Sequence, residues 1–84
     1  MQERPDGTVL RLDLRGLKCP LPALRTRKAL VGLQAGDVLI VEATDPLSGI
    51  DIPHCVRETG HKLKSHAVEN GVAIFTIEIQ KTYA

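Results

Sequence analysis

Near residue 20 the spacing of apolar side chains switches from two to between three and four, and this switch limits the folds open to the chain. Before it, Thr8 to Arg15 reads TVLRLDLR. Leu10, Leu12 and Leu14 share one face and Arg11 and Asp13 the other, as in a half-buried strand. After it, Ala23, Thr26, Ala29, Leu30 and Leu33 form an apolar stripe at helical spacing, which predicts a helix over Pro20 to Gln34. Arg25, Arg27 and Lys28 fall mostly outside the stripe. Gly36 is the expected left-handed stop, and Gly32 inside the helix costs ~1 kcal/mol relative to alanine.

The pattern then repeats. Asp37 to Thr44, DVLIVEAT, predicts a second strand, and DPLSG breaks the chain. DIPHCVRET predicts a short second helix, with Asp51 as N-cap, Pro53 in the first turn and Gly60 as terminator. Residues 61–68 and 72–79 flank Glu69-Asn70-Gly71, a strong hairpin signal. The order is βαβαββ, and a right-handed crossover makes the first two strands parallel. The expected class is α+β: a two-layer α/β sandwich, with a four-stranded mixed sheet and two helices on one face. Val9, Val38, Ile40 and Ile74 then point out of the other face, diluted by Lys62, Lys64, His66 and Glu78. A mixed, solvated face is the preferred reading over a docking surface. With 84 residues there is room for one domain, residues 1–84, of which 1–7 are read as a flexible lead-in. Phe75 and Tyr83 are the only aromatics, so Leu, Ile, Val and Ala must build the core.

Charge and composition narrow the function. A net charge of +1 gives no global field that would attract nucleic acid or an anionic membrane. No apolar run approaches the ~20 residues of a membrane span. The opening MQERPDGT lacks the apolar core of a secretory peptide, so a cytoplasmic protein is expected. There the two cysteines, Cys19 and Cys55, stay reduced, and they lack the C-x-x-C spacing of a redox or zinc pair.

Cys19 stands out. If Pro20 is the first helical residue, Cys19 is the N-cap and Pro22 still falls within the first turn. The thiol then sits at the positive end of the helix dipole. From Leu14 to Gly36 there is no Asp or Glu, yet there are Arg15, Lys18, Arg25, Arg27 and Lys28. Helix end and cations together predict a thiol that ionises below the ordinary ~8.5. The residues alone leave two readings open: a reactive thiolate, or an inert small hydrophobe beside a solvated basic helix.

LDLRGLKCPLP, followed by AGDVLIVEATDP and DIPHCVRETGHKL, resembles the TusA/SirA family of sulfur carriers from Leu12 to the last strand. The resemblance implies the βαβαββ sandwich and a persulfide carried on Cys19; the residues themselves show no cofactor motif and no metal-ligand spacing, so neither group is expected. It implies a sulfur donor such as a cysteine desulfurase or rhodanese-like protein, and a DsrE-like acceptor. The pathways such carriers serve include tRNA thiolation, cofactor sulfuration and sulfur oxidation. The residue between the two prolines is typically acidic in the tRNA-thiolation member and is Leu21 here, so that pathway is not assigned. Sulfur transfer requires thiolate attack on an activated sulfur, and a lone cysteine suffices when the second thiol belongs to a partner. In this reading Pro20 and Pro22 position the helix end, while Arg15, Lys18 and Arg25 favour the thiolate or steer a partner. The resemblance thus implies a sulfurtransferase component acting as a protein-to-protein relay rather than a free-standing enzyme, and a monomer is expected.

The other candidates read as structural. Cys55 belongs in the core, and for His61 a role in the turn from helix to strand is preferred over a place near the thiol. Asp45 makes a local Asx turn at the end of the second strand. Zinc held by Cys19, His54, Cys55 and His61 has no recognised spacing. The alternative function is an RNA- or protein-binding regulatory module in which Cys19 is only a helix cap. The strand order is similar to that of the C-terminal domain of a bacterial translation initiation factor. The lack of stacking aromatics argues against nucleic acid.

Overall fold

The structure, a computed structural model, describes residues 8–81; the lead-in 1–7 and Tyr83 lie outside the described residues. The elements follow the expected order: β1 (Val9–Leu14), α1 (Leu21–Val31), β2 (Val38–Ala43), α2 (Ser48–Glu58), β3 (Lys62–Glu69) and β4 (Val72–Glu78). They form one four-stranded sheet in the order β1-β2-β4-β3. The β1–β2 pair is parallel and the other two pairs are antiparallel. The sheet is therefore mixed, as the sequence predicts.

Register assigns the two faces. Leu12 and Leu14 of β1, Leu39, Val41 and Ala43 of β2, and Phe75 and Ile77 of β4 point to the helices. Val41, Ala43, Ile52, Phe75 and Ile77 are fully shielded from solvent, and Ile52, Cys55 and Val56 bring α2 onto them. Val9, Val38, Ile40 and Ile74 lie on the opposite face, as expected, between the Arg11–Glu42 and Lys64–Glu78 ion pairs. No helix among the described residues is long and apolar enough to cross a membrane.

One residue changes face. The sequence places His66 on the open side with Lys62 and Lys64, but the β3–β4 register shifts between Leu63 and Ser65. One extra residue inverts the alternation beyond that point. His66 is thereby opposite Phe75 and stacks on it, with ring centroids 4.4 Å apart.

The helix boundaries also differ from expectation. α1 ends at Val31, with Gly32 as C-cap, short of the predicted Gln34. Asp37 is buried; its N–H donates to the Gln34 carbonyl (2.9 Å) and its carboxylate accepts the Gln34 N–H (2.8 Å). This turn, with Gly36 at φ +94°, takes the residues that periodicity gave to the helix. α2 begins at Ser48 and not at Asp51. Both the Ile50 and Asp51 N–H groups donate to the Leu47 carbonyl (3.0 and 2.9 Å), so the supposed chain break is the first helical turn. Pro53 consequently lies inside the helix and leaves the Gly49 carbonyl without a helical donor. Gly60 does terminate α2. Its N–H donates to Arg57 O and the His61 N–H to Val56 O, the paired bonds of a left-handed cap. The hairpin is as expected: Asn70 and Gly71, at φ +51° and +79°, join β3 to β4 in the primed turn that suits twisted strands.

With a single aromatic ring in the described core, Phe75 carries an unusual share of its volume. Phe75→Ala is expected to lower unfolding free energy by about 3–5 kcal/mol, read from the urea midpoint. An unchanged midpoint would mean that the ring is not packed as described.

Candidate functional site

Because β1 and β2 are parallel and each feeds a helix that runs back across the sheet, α1 and α2 start at the same end of the molecule. This is the end beyond the carboxyl termini of the parallel strands, where α/β folds place their chemistry. Cys19 lies there.

The loop that carries it is tied to the end of β2. The Leu17 N–H donates to the Leu14 carbonyl (3.2 Å), closing a turn whose third residue, Gly16, has φ +85°, a conformation that glycine tolerates best. The Gly16 N–H donates to Thr44 Oγ1 (2.8 Å), and the Cys19 N–H to Asp45 Oδ2 (2.7 Å). Asp45 therefore does not make the expected local Asx turn. Its side chain reaches across the site, and only its backbone carbonyl, which accepts the Ser48 N–H (2.9 Å), serves the turn into α2. Pro20, after a cis peptide bond, is the N-cap of α1, so Cys19 stands one position before the cap. Pro22 is buried in the first turn of α1, where a proline removes no helical bond.

The thiol is exposed, and its Sγ donates to Asp51 Oδ2 at 3.1 Å. Asp51 is thus the fourth residue of α2 and the partner of Cys19, not a cap. The hydrogen bond to Asp51, then lost solvation, then the charges of Asp51 and Asp45 push the Cys19 thiol above its ordinary range. The sequence predicts the opposite shift. Its acid-free window is real along the chain, but the fold returns two carboxylates to the thiol from outside that window. Meanwhile the Arg15 guanidinium forks onto Asp13 (2.8 and 2.9 Å) and lies 3.9 Å from Glu42. That pairing holds the Asp13 carboxyl down to about 2. Arg25 lies with Lys28 on the flank of α1, over Leu12. Lys18 directly precedes Cys19, and its carbonyl accepts the Leu21 N–H (2.8 Å).

The remaining candidates stand apart. Cys55 is buried between the helices, its Sγ 3.9 Å from Ala23 O, and burial pushes its thiol up. His54 pairs with Glu58 (3.3 Å). His61 Nδ1 accepts the Gln80 N–H (3.0 Å), which ties the turn between α2 and β3 to the chain that follows β4. A depression of about 500 Å³, lined by Arg27, Leu30, Thr59, His61 and Gln80, lies at the far ends of the helices, a helix length of ~16 Å from the thiol's end. Cys19, His54, Cys55 and His61 thus share no site. At the end of the molecule where both helices start, Leu21 and Leu24 of α1 and Leu47 and Ile50 beside the start of α2 are exposed.

Sequence reasoning missed Asp51 as the thiol's partner. Two signals could have found it. Parallel β1 and β2 oblige both helices to begin together, and an acidic residue follows DPLSG within one turn.

The profile of the family described as Sulfurtransferase TusA matches residues 10–81. A Neisseria meningitidis protein provisionally named as a sulfur carrier is 49% identical over 82% of this chain and 90% of its own length. The sulfur carrier protein TusA of Allochromatium vinosum is 43% identical over 80% of this chain and 88% of its own length. Among solved structures, the SirA-like protein of Desulfitobacterium hafniense superposes with a TM-score of 0.76. It has 28% identity and covers 86% of this chain and 99% of that one.

Exposure and charge together set the expected thiol chemistry. In the folded protein iodoacetamide should modify Cys19 and spare Cys55, which becomes reactive only in denaturant. Because the raised pKa keeps the thiol protonated to higher pH, the Cys19 rate should still be rising where that of free cysteine has levelled. A Cys19 profile that levels earlier than free cysteine would contradict the carboxylate contact.

Proposed function

The chain belongs to the TusA sulfurtransferase family, and from that premise we propose that it is a sulfur carrier holding sulfane sulfur as a persulfide on Cys19. It takes the sulfur from a donor protein, such as a cysteine desulfurase or a rhodanese-like transferase, and passes it to an acceptor cysteine on a DsrE-like protein. One observation carries the assignment to Cys19: of the two thiols inside the matched region, Cys19 is exposed and Cys55 is 2% exposed. A sulfur relay needs a thiol that another protein's thiol can approach in line, and only the first qualifies.

The surroundings support a protein partner. The thiol is exposed at the end of the molecule where Leu21, Leu24, Leu47 and Ile50 are exposed too. Exposed leucine and isoleucine at the same end as a reactive atom suit a surface that a second protein covers during transfer. Covering it excludes water while the sulfur changes hands. Pro20 and Pro22 stiffen the helix entry, and Lys18 supplies a cation beside the thiol for steering. Each transfer is a thiol–persulfide exchange that needs no cofactor, and a reducing cytoplasm keeps the unloaded thiol available. The chain acts in this scheme as a monomer that docks transiently.

The test weighs the intact reduced protein after incubation with a sulfane-sulfur donor. Wild type and Cys55→Ser should gain one sulfur atom that reductant removes, and Cys19→Ser should gain none. Equal labelling of both cysteines would contradict a dedicated carrier thiol.

A further inference from the structure

We propose that Asp51 is the proton-transfer partner of Cys19 in sulfur exchange, a catalytic role that rests on the carrier reading above. Its Oδ2 is 3.1 Å from Sγ, and among the described residues its side chain bonds nothing else. Asp45 is engaged differently: its Oδ2 receives the Cys19 backbone N–H, so it fixes the loop and is not aimed at the sulfur. Of the two carboxylates near the thiol, only Asp51 touches the atom that must lose and regain a proton. Lys18 is the one charged residue adjacent to Cys19 in sequence.

The chemistry follows from that contact. In loading, a lone pair on Sγ attacks the terminal sulfur of a donor persulfide, R–S–SH. The new Sγ–S bond forms, the donor's S–S bond breaks, and the donor leaves as the thiolate R–S⁻. The proton from Sγ moves to Asp51, giving Cys19–Sγ–SH and a neutral carboxyl. In unloading, an acceptor thiolate R′–S⁻ attacks the terminal sulfur of Cys19–Sγ–SH. The Sγ–S bond breaks, R′–S–SH departs, and Sγ takes the proton back from Asp51. The transferred sulfur keeps its oxidation state throughout, so no external oxidant or reductant enters. One carboxylate serves as base in one direction and as acid in the other, as microscopic reversibility requires.

This role makes an opposed pair of predictions for Asp51→Asn, which preserves shape and removes the charge. Losing the carboxylate frees the thiol to ionise, so alkylation of Cys19 by iodoacetamide at neutral pH should quicken at least about twofold. Losing the proton acceptor should slow sulfur exchange, by about tenfold or more. Exchange is measured as loading from glutathione persulfide and unloading to glutathione, followed by intact mass. Asp51→Glu, which keeps a carboxylate, should recover part of the exchange rate and, with circular dichroism, guards against a folding defect. Faster alkylation accompanied by unchanged or faster exchange would overturn the proposal, since Asp51 would then only keep the thiol protonated. Unchanged alkylation would overturn it as well, because the contact would be absent in solution. Failure of the wild type to load Cys19 at all would instead reject the carrier assignment.

Discussion

Two carboxylates meet one cysteine, and the working end of the molecule depends on that meeting. Asp45, just past β2, accepts the Cys19 backbone N–H at 2.7 Å, and Asp51, one turn into α2, accepts its thiol at 3.1 Å. The Leu14–Leu17 turn, the Gly16–Thr44 bond and the packing of Leu17 on the core also hold the loop before α1. Hydrogen bonds to charged acceptors are stronger than neutral ones, and water weakens both of these because they lie at the surface. The parallel β1–β2 pair makes the meeting possible, because it brings the starts of both helices to one edge. Both carboxylates also sit near helix N-termini, where the dipole favours negative charge.

That arrangement gives the thiol a particular resting character. A cysteine meant for oxidation or permanent attack is commonly surrounded by cations. Here the Asp51 hydrogen bond pushes the exposed thiol's ionisation upward, a shift that disfavours the reactive thiolate while leaving the sulfur open to a partner. For a carrier, whose sulfur must move only between chosen proteins, low idle reactivity is an advantage. Exposed apolar residues of both helix starts lie at the same end of the molecule, so a protein docking there would change the solvent around the thiol and its carboxylate together.

Much of this was legible in the sequence. Period-two runs and the Asn70–Gly71 turn located the strands, and the helical stripe of Ala23, Thr26, Ala29 and Leu30 located α1. Local pattern could settle these because neighbouring residues alone determine it. Three features depended on tertiary structure. The register shift in β3 turned His66 toward Phe75, which alternation cannot foresee. The first turn of α2 was hidden in DPLSG, whose composition suggests a loop. Most important, the charge around Cys19 was judged along the chain, where its neighbours are basic. In space its partners come from 26 and 32 residues away. A run of like charge describes a segment, whereas a pKa responds to whatever the fold places within a few ångströms.

The contact between Sγ and Asp51 can be observed directly by carbon-13 NMR, following the Cys19 Cβ and Asp51 Cγ resonances of the wild-type protein through one pH series. Cys19 is predicted to titrate above the ordinary thiol range, with Asp51 Cγ responding at the same midpoint as its bonded proton departs. A Cys19 midpoint at or below that of free cysteine, with Asp51 Cγ silent across it, would contradict the account.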